Sequence, residues 1–169
     1  MRSSIIDFIT LEQNDSTRLK NKHLKLIVEL IIDEFNKYQL INVEFNEGTT
    51  DNNSVNIIFK TSNNKYITFY ITSDIEYYNI SLFDIRKLNP SFDNIFVYDY
   101  CQCRKQEKIF EKLCSLANVK KTIYNSDQIK SQTLDYCKSL KDFFSLEEID
   151  KILHTDYWPD DIIHDWRVG

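Results

Sequence analysis

The sequence predicts an α+β fold: an N-terminal helix, a central antiparallel sheet of about five strands, and C-terminal helices. Two observations predict it. Apolar residues recur at steps of three and four up to about Tyr38, alternate in segments between Ile41 and Tyr100, and return to the helical step afterwards. The links between the alternating segments are short, which favours antiparallel neighbours. With 169 residues, 42% hydrophobic and 14% aromatic, the chain can bury one substantial core, so residues 1–169 are expected to form a single globular domain.

The first helix is expected to start near Asp15 or Ser16, either of which can cap it, and to reach about Tyr38. Leu19, His23, Leu26, Ile27, Leu30, Ile31, Glu34, Phe35 and Tyr38 mark its apolar face, with His23 read as a core or boundary histidine. The period then switches to two in Ile41-Val43-Phe45, Val55-Ile57-Phe59 and Ile67-Phe69-Ile71. Ser62-Asn63-Asn64 predicts a hairpin between the second and third strands, because Asn tolerates positive φ. A fourth strand is expected over Glu76 to Phe83 and a fifth over Asn94 to Tyr100, with a loop around Asn89-Pro90. Helices follow from Lys105 to Ala117 and from Ser126 or Asp127 to about Phe143. Ser145 and Glu148 have capping-box spacing for a short helix ending near Leu153. Pro159 interrupts any helix there or opens a last one over Asp160 to Trp166.

Charge is distributed unevenly. Residues 142–169 hold eight acidic side chains against Lys151 and Arg167, a net of −6, whereas the first 141 residues hold 19 basic and 18 acidic ones. Both tryptophans, Trp158 and Trp166, lie in the same acidic segment. Carboxylates steer and pair with basic groups while aromatic rings supply buried contact area, so this segment suits docking on a basic partner. The alternative is that the rings close the core and the carboxylates face water. A like-charged cluster still repels itself, a cost that a cation-rich partner would offset.

Other functions have less behind them. His154, Asp156, Asp160 and His164 include imidazole and carboxylate ligands suited to a divalent metal, so a metal-dependent hydrolase is the alternative function, although the spacing matches no known motif. A structural or adaptor subunit is a third. Cys101-Gln102-Cys103 would need Cys114 and Cys137 to complete a tetrahedral site, and these sit at helical positions that read as buried small residues. Two glycines, Gly48 and Gly169, cannot build a Gly-rich phosphate loop. Net charge −5 and pI near 5.2 disfavour nucleic acid, and the few lysines among the strands leave the tyrosines as sheet core rather than a base-stacking platform. Arg104, Lys105 and Lys108 are offset by Glu107 and Glu111 and read as a solvated helix face. No cofactor, membrane contact or enzymatic activity is expected. The N-terminal apolar run is too short for a signal peptide and no stretch is long enough to span a bilayer, so a cytoplasmic location with reduced thiols is expected.

A small acidic chain of this kind, ending in Asp156-Tyr157-Trp158-Pro159-Asp160-Asp161-Ile162-Ile163-His164-Asp165-Trp166, resembles the bacterial immunity proteins. These are the antidotes paired with polymorphic toxins, including those of contact-dependent growth inhibition. The resemblance lies in overall character along the whole chain. It implies neutralisation of a cognate toxin domain, often a basic nuclease, by covering or occupying its active site. The expected partner-binding residues are Glu147, Glu148, Asp156, Tyr157, Trp158, Asp160, Asp161, Asp165 and Trp166.

Overall fold

The computed structural model, which describes residues 15–46, 53–87, 94–121 and 126–162, has the predicted order of helix, sheet and helices. Helix α1 spans Asp15–Glu34 and buries His23, Leu24, Ile27, Val28, Ile31 and Ile32. Its buried face is centred on Leu24 and Val28, so Leu26 and Leu30 are only partly covered. The helix ends four residues short of Tyr38 because β1 begins at Gln39, and the reversal between them uses residues 35–38 as a turn. Phe35 and Tyr38 still reach the core from that turn, in which the Tyr38 N–H donates to the Phe35 carbonyl at 3.1 Å.

Four strands follow as an antiparallel meander: β1 (Gln39–Asn46), β2 (Ser54–Lys60), β3 (Lys65–Ser73) and β4 (Tyr77–Lys87). The β2–β3 hairpin closes as expected, with Lys60 opposite Tyr66 and Asn64 at φ 58°, the left-handed region that Asn tolerates. Val55, Ile57, Phe59, Ile67, Phe69 and Ile71 fill the inner face with no exposed surface. Phe35 joins the layers, its ring 6.4 Å from Phe59, 5.4 Å from Phe69 and 5.6 Å from Phe144.

The fifth strand departs from expectation. β5 is only Asn94–Phe96, and Val97–Cys103 forms helix α2. Ile95 and Val97 fit a period of two, but Val97, Tyr100 and Cys101 are all buried, and that i, i+3, i+4 spacing is helical. After α2 come α3 (Glu107–Ala117), an unanticipated short strand β6 (Asn118–Lys120), α4 (Ser126–Phe144) and α5 (Glu147–His154). β5 pairs with residues 84–86 of β4 and β6 with residues 77–79, both on the edge away from β3. Helices α2 and α3 therefore leave and rejoin the same edge of β4.

Cys101 and Cys137 are buried, whereas Cys103 and Cys114 are exposed. Cys114 thus contradicts its expected burial: only Leu113 and Ala117 of α3 turn fully into the core. No helix among the described residues is long and apolar enough to cross a membrane.

Candidate functional site

The acidic segment is built on α5 and the extended residues that follow it. Ile149, Ile152 and Leu153 pack α5 into the core, which turns Glu147, Asp150 and Lys151 outward. Glu147, Glu148 and Asp150 in the first turn face the positive end of the helix dipole. The expected capping box does not form. Leu146 occupies the cap position without a side-chain bond, and the Ser145 hydroxyl donates instead to the Lys141 carbonyl at 2.9 Å. The Glu148 carboxylate has a stronger partner elsewhere.

That partner is Arg104. Its Nε donates to Glu148 Oε1 at 2.6 Å and its Nη2 to Oε2 at 3.1 Å; Nη1 and Nη2 each reach Asp161, both at 2.7 Å. One guanidinium thus grips two carboxylates in the fork geometry that only arginine offers. The Tyr157 hydroxyl donates to Glu148 Oε2 at 2.7 Å and completes the cluster. Arg104 holds the Glu148 carboxyl below its usual range, with Tyr157 and Tyr100 assisting against the opposing effect of burial, and it lowers the Asp161 carboxyl as well. The Tyr157 hydroxyl is raised, chiefly by its bond to Glu148.

The end of α2 places Arg104. The Gln106 N–H bonds to the Cys101 carbonyl at 2.7 Å and the Lys105 N–H to Gln102 at 3.3 Å, with Lys105 at φ 56°. This is the Schellman arrangement, in which a left-handed residue stops the helix. A lysine fills a position that usually takes glycine. Arg104, just before the reversal, is left projecting towards α5. The sequence reading of Arg104 as part of a solvated face is therefore wrong: it is three-quarters buried and ion-paired across 44 and 57 residues. Its distance in sequence from Glu148 and Asp161 hid the pairing.

A second cation fixes the other end of α5. Lys65 opens β3 on the inner face, 2% exposed, and its Nζ donates to the carbonyls of Ile152 and Thr155 at 2.8 Å and of Tyr157 at 3.3 Å. It caps the helix C-terminus, where the dipole favours a cation. Burial lowers the Lys65 pKa, Asp156 opposes that shift, and Lys87 adds to it. Trp158 lies partly buried against the core, its ring 5.7 Å from Lys65 Nζ and 6.0 Å from Lys87 Nζ. Cation–π attraction of this kind helps to hold the ring. Pro159 is buried beside it, and residues 155–162 contain no helix.

The sequence-predicted contact residues therefore divide. Glu148 and Asp161 are joined by Arg104, and Tyr157 bonds to Glu148 while remaining 41% exposed. Trp158 faces the core and the lysines. Glu147, Asp156 and Asp160 stay exposed, and Asp165 and Trp166 lie outside the described residues. Asp150, not among the expected contacts, is also exposed and pairs with His154 at 3.0 Å. Part of the offset to the net −6 thus comes from the chain's own Arg104 and Lys65. An open cleft of about 370 Å³ lies between Arg104, Gln106, Glu147, Glu148, Lys151 and Tyr157.

His154, the one described imidazole of the expected metal set, is engaged within the chain. His154 bonds through Nδ1 to Asp150, and its ring stacks on Tyr38 with centroids 5.9 Å apart. Among the described residues no three His, Cys, Asp or Glu side chains converge on a point, and His164 lies outside them. What the site does present is a fixed surface of exposed carboxylates around one tyrosine, carried on an α+β scaffold. Comparison with known protein families, curated proteins and solved structures finds no match to this chain.

Proposed function

We propose that this chain is a binding protein of the immunity type, which acts in the cytoplasm and neutralises a basic, nuclease-type toxin domain by covering its active site. The supporting observation is that Glu147, Asp150, Asp156 and Asp160 stay exposed on a segment held from both ends, by Arg104 and by Lys65. A surface ordered before encounter loses less entropy on binding, and its field steers a cationic partner. Exposed carboxylates arrayed in this way stand in for substrate phosphates in a nuclease cleft. Tyr157 supplies an aromatic contact among them.

The test is capture from the source cell with the wild-type chain and with a variant carrying Glu147→Gln, Asp150→Asn, Asp156→Asn and Asp160→Asn. The expected result is one stoichiometric basic protein retained by the wild type and lost from the variant, toxic when expressed alone and harmless when co-expressed with the wild type. A partner held equally by both chains moves the contact elsewhere. A partner whose toxicity persists on co-expression rules out the antidote role.

A further inference from the structure

We propose that β1 is a pairing edge for a second copy of this chain, joined antiparallel in the register that sets Val43 opposite its own counterpart. Among the described residues no strand pairs with the outer edge of β1, which begins the sheet order. The strand is eight residues long, and Glu44 is its only charged residue. Sheet edges are ordinarily guarded by lysine, proline, bulges or short length. β1 has neither lysine nor proline, and its one irregularity falls at Ile41, between Leu40 and Asn42.

The core also reaches this edge without being closed. On β2, Val55, Ile57 and Phe59 are completely buried, whereas their neighbours on β1, Phe45, Val43 and Leu40, are only partly covered, and Ile41 is 45% exposed. A further strand alongside would cover these side chains and satisfy the outward backbone groups together.

Symmetry selects the register. A two-fold axis normal to the sheet keeps the two core faces on one side, so pairing must centre on a residue rather than between residues. Centring on Glu44 sets two carboxylates face to face, which is destabilising. Centring on Asn42 draws the irregularity at Ile41 into the middle of the ladder. Centring on Val43 sets no carboxylates face to face and moves the irregularity out to the two Ile41–Phe45 pairs: Val43 meets Val43 on the core face, and Asn42 meets Glu44 twice on the outer face. The strand is thus complementary to itself, which is why the occupant is a second copy.

Sedimentation velocity over a concentration series tests this with the wild type, Asn42→Lys and Asn42→Glu. Asn42 is exposed on the outer face, so neither change touches the core. Asn42→Lys sets a cation opposite each Glu44 and should tighten the dimer, while Asn42→Glu sets a carboxylate there and should weaken it, each by roughly 2- to 30-fold in Kd for the two symmetric pairs. A chain that stays monomeric at the highest soluble concentration overturns the proposal. So does a dimer whose Kd ignores both substitutions or moves the same way with both. Protection of β1 amides from exchange only in complex with an extended segment of another protein would replace the second copy with a foreign strand.

Discussion

The Arg104 guanidinium and the Glu148 carboxylate meet through two hydrogen bonds, at 2.6 and 3.1 Å, and the same guanidinium holds Asp161 from its other side. Arg104→Ala leaves two carboxylates facing each other without their cation. It should cost about 1.5–3 kcal/mol, the range for hydrogen bonds to charged groups. Arg104→Lys should recover only part of that, because an ammonium lacks the fork. Urea denaturation of the three chains measures both; a loss in Arg104→Ala no larger than that of an ordinary surface substitution, about 0.5 kcal/mol, contradicts the clamp.

The same pairing sets an acid limit. Glu148 and Asp161 are held below their ordinary pKa values, so below about pH 4.5 the unfolded chain binds more protons than the folded one. The stability they contribute is complete above their unfolded values and is lost as pH falls through the folded ones. Stability against pH should decline in that acid range, and Glu148→Gln should flatten the decline. An unchanged slope in the variant removes Glu148 from the explanation.

Lys65→Met keeps an unbranched side chain, one atom shorter, but deprives the Ile152, Thr155 and Tyr157 carbonyls of their donor. Some of the loss is returned by removing a buried charge, so the net cost should be about 1–3 kcal/mol. The local effect is more diagnostic. The amides of Thr155 and Tyr157, bonded to the Lys151 carbonyl and the Thr155 hydroxyl, should lose protection in hydrogen exchange while the amides of β2 and β3 keep theirs.

Thiol labelling should divide the cysteines into two pairs. Cys103 and Cys114 are exposed and should react in the folded protein. Cys101 and Cys137 are buried, with thiols pushed up to about 12 by desolvation, and should react only on unfolding. Peptide mass spectrometry after brief alkylation distinguishes the pairs; early modification of Cys137 would show that α4 opens locally.

The sequence made legible what depends on local period. The α1 helix, the β2–β3 hairpin turned at Asn64 and the helix from Ser126 all follow from spacing and turn chemistry between near neighbours. It misled where two periods fit the same residues, as in Val97 to Tyr100, and it left β6 unseen because three residues carry no period. The acidic, aromatic character of the last segment was plain, but its internal ties were not. Ser145 and Glu148 have capping-box spacing, yet Arg104, 44 residues earlier, offers Glu148 a charged partner that outweighs a backbone N–H. The alternation of Ile67, Phe69 and Ile71 extends to Lys65 and turns it inward, but nothing nearby in sequence names its acceptors, 87 to 92 residues further on.

Lys65 and its three carbonyl acceptors stand 87 to 92 residues apart. At ribosomal rates of about 5–20 residues per second, the interval between making that lysine and making Tyr157 is roughly 5–20 s. Once Ser73 is made, the β2–β3 hairpin carries an ammonium group on the side destined for the interior while the carbonyls that will receive it are still to come. The carboxylate surface gains its shape only as α5 arrives. A chain stopped before Glu147 would therefore carry the hairpin without the acidic surface, its Lys65 ammonium still lacking all three carbonyls.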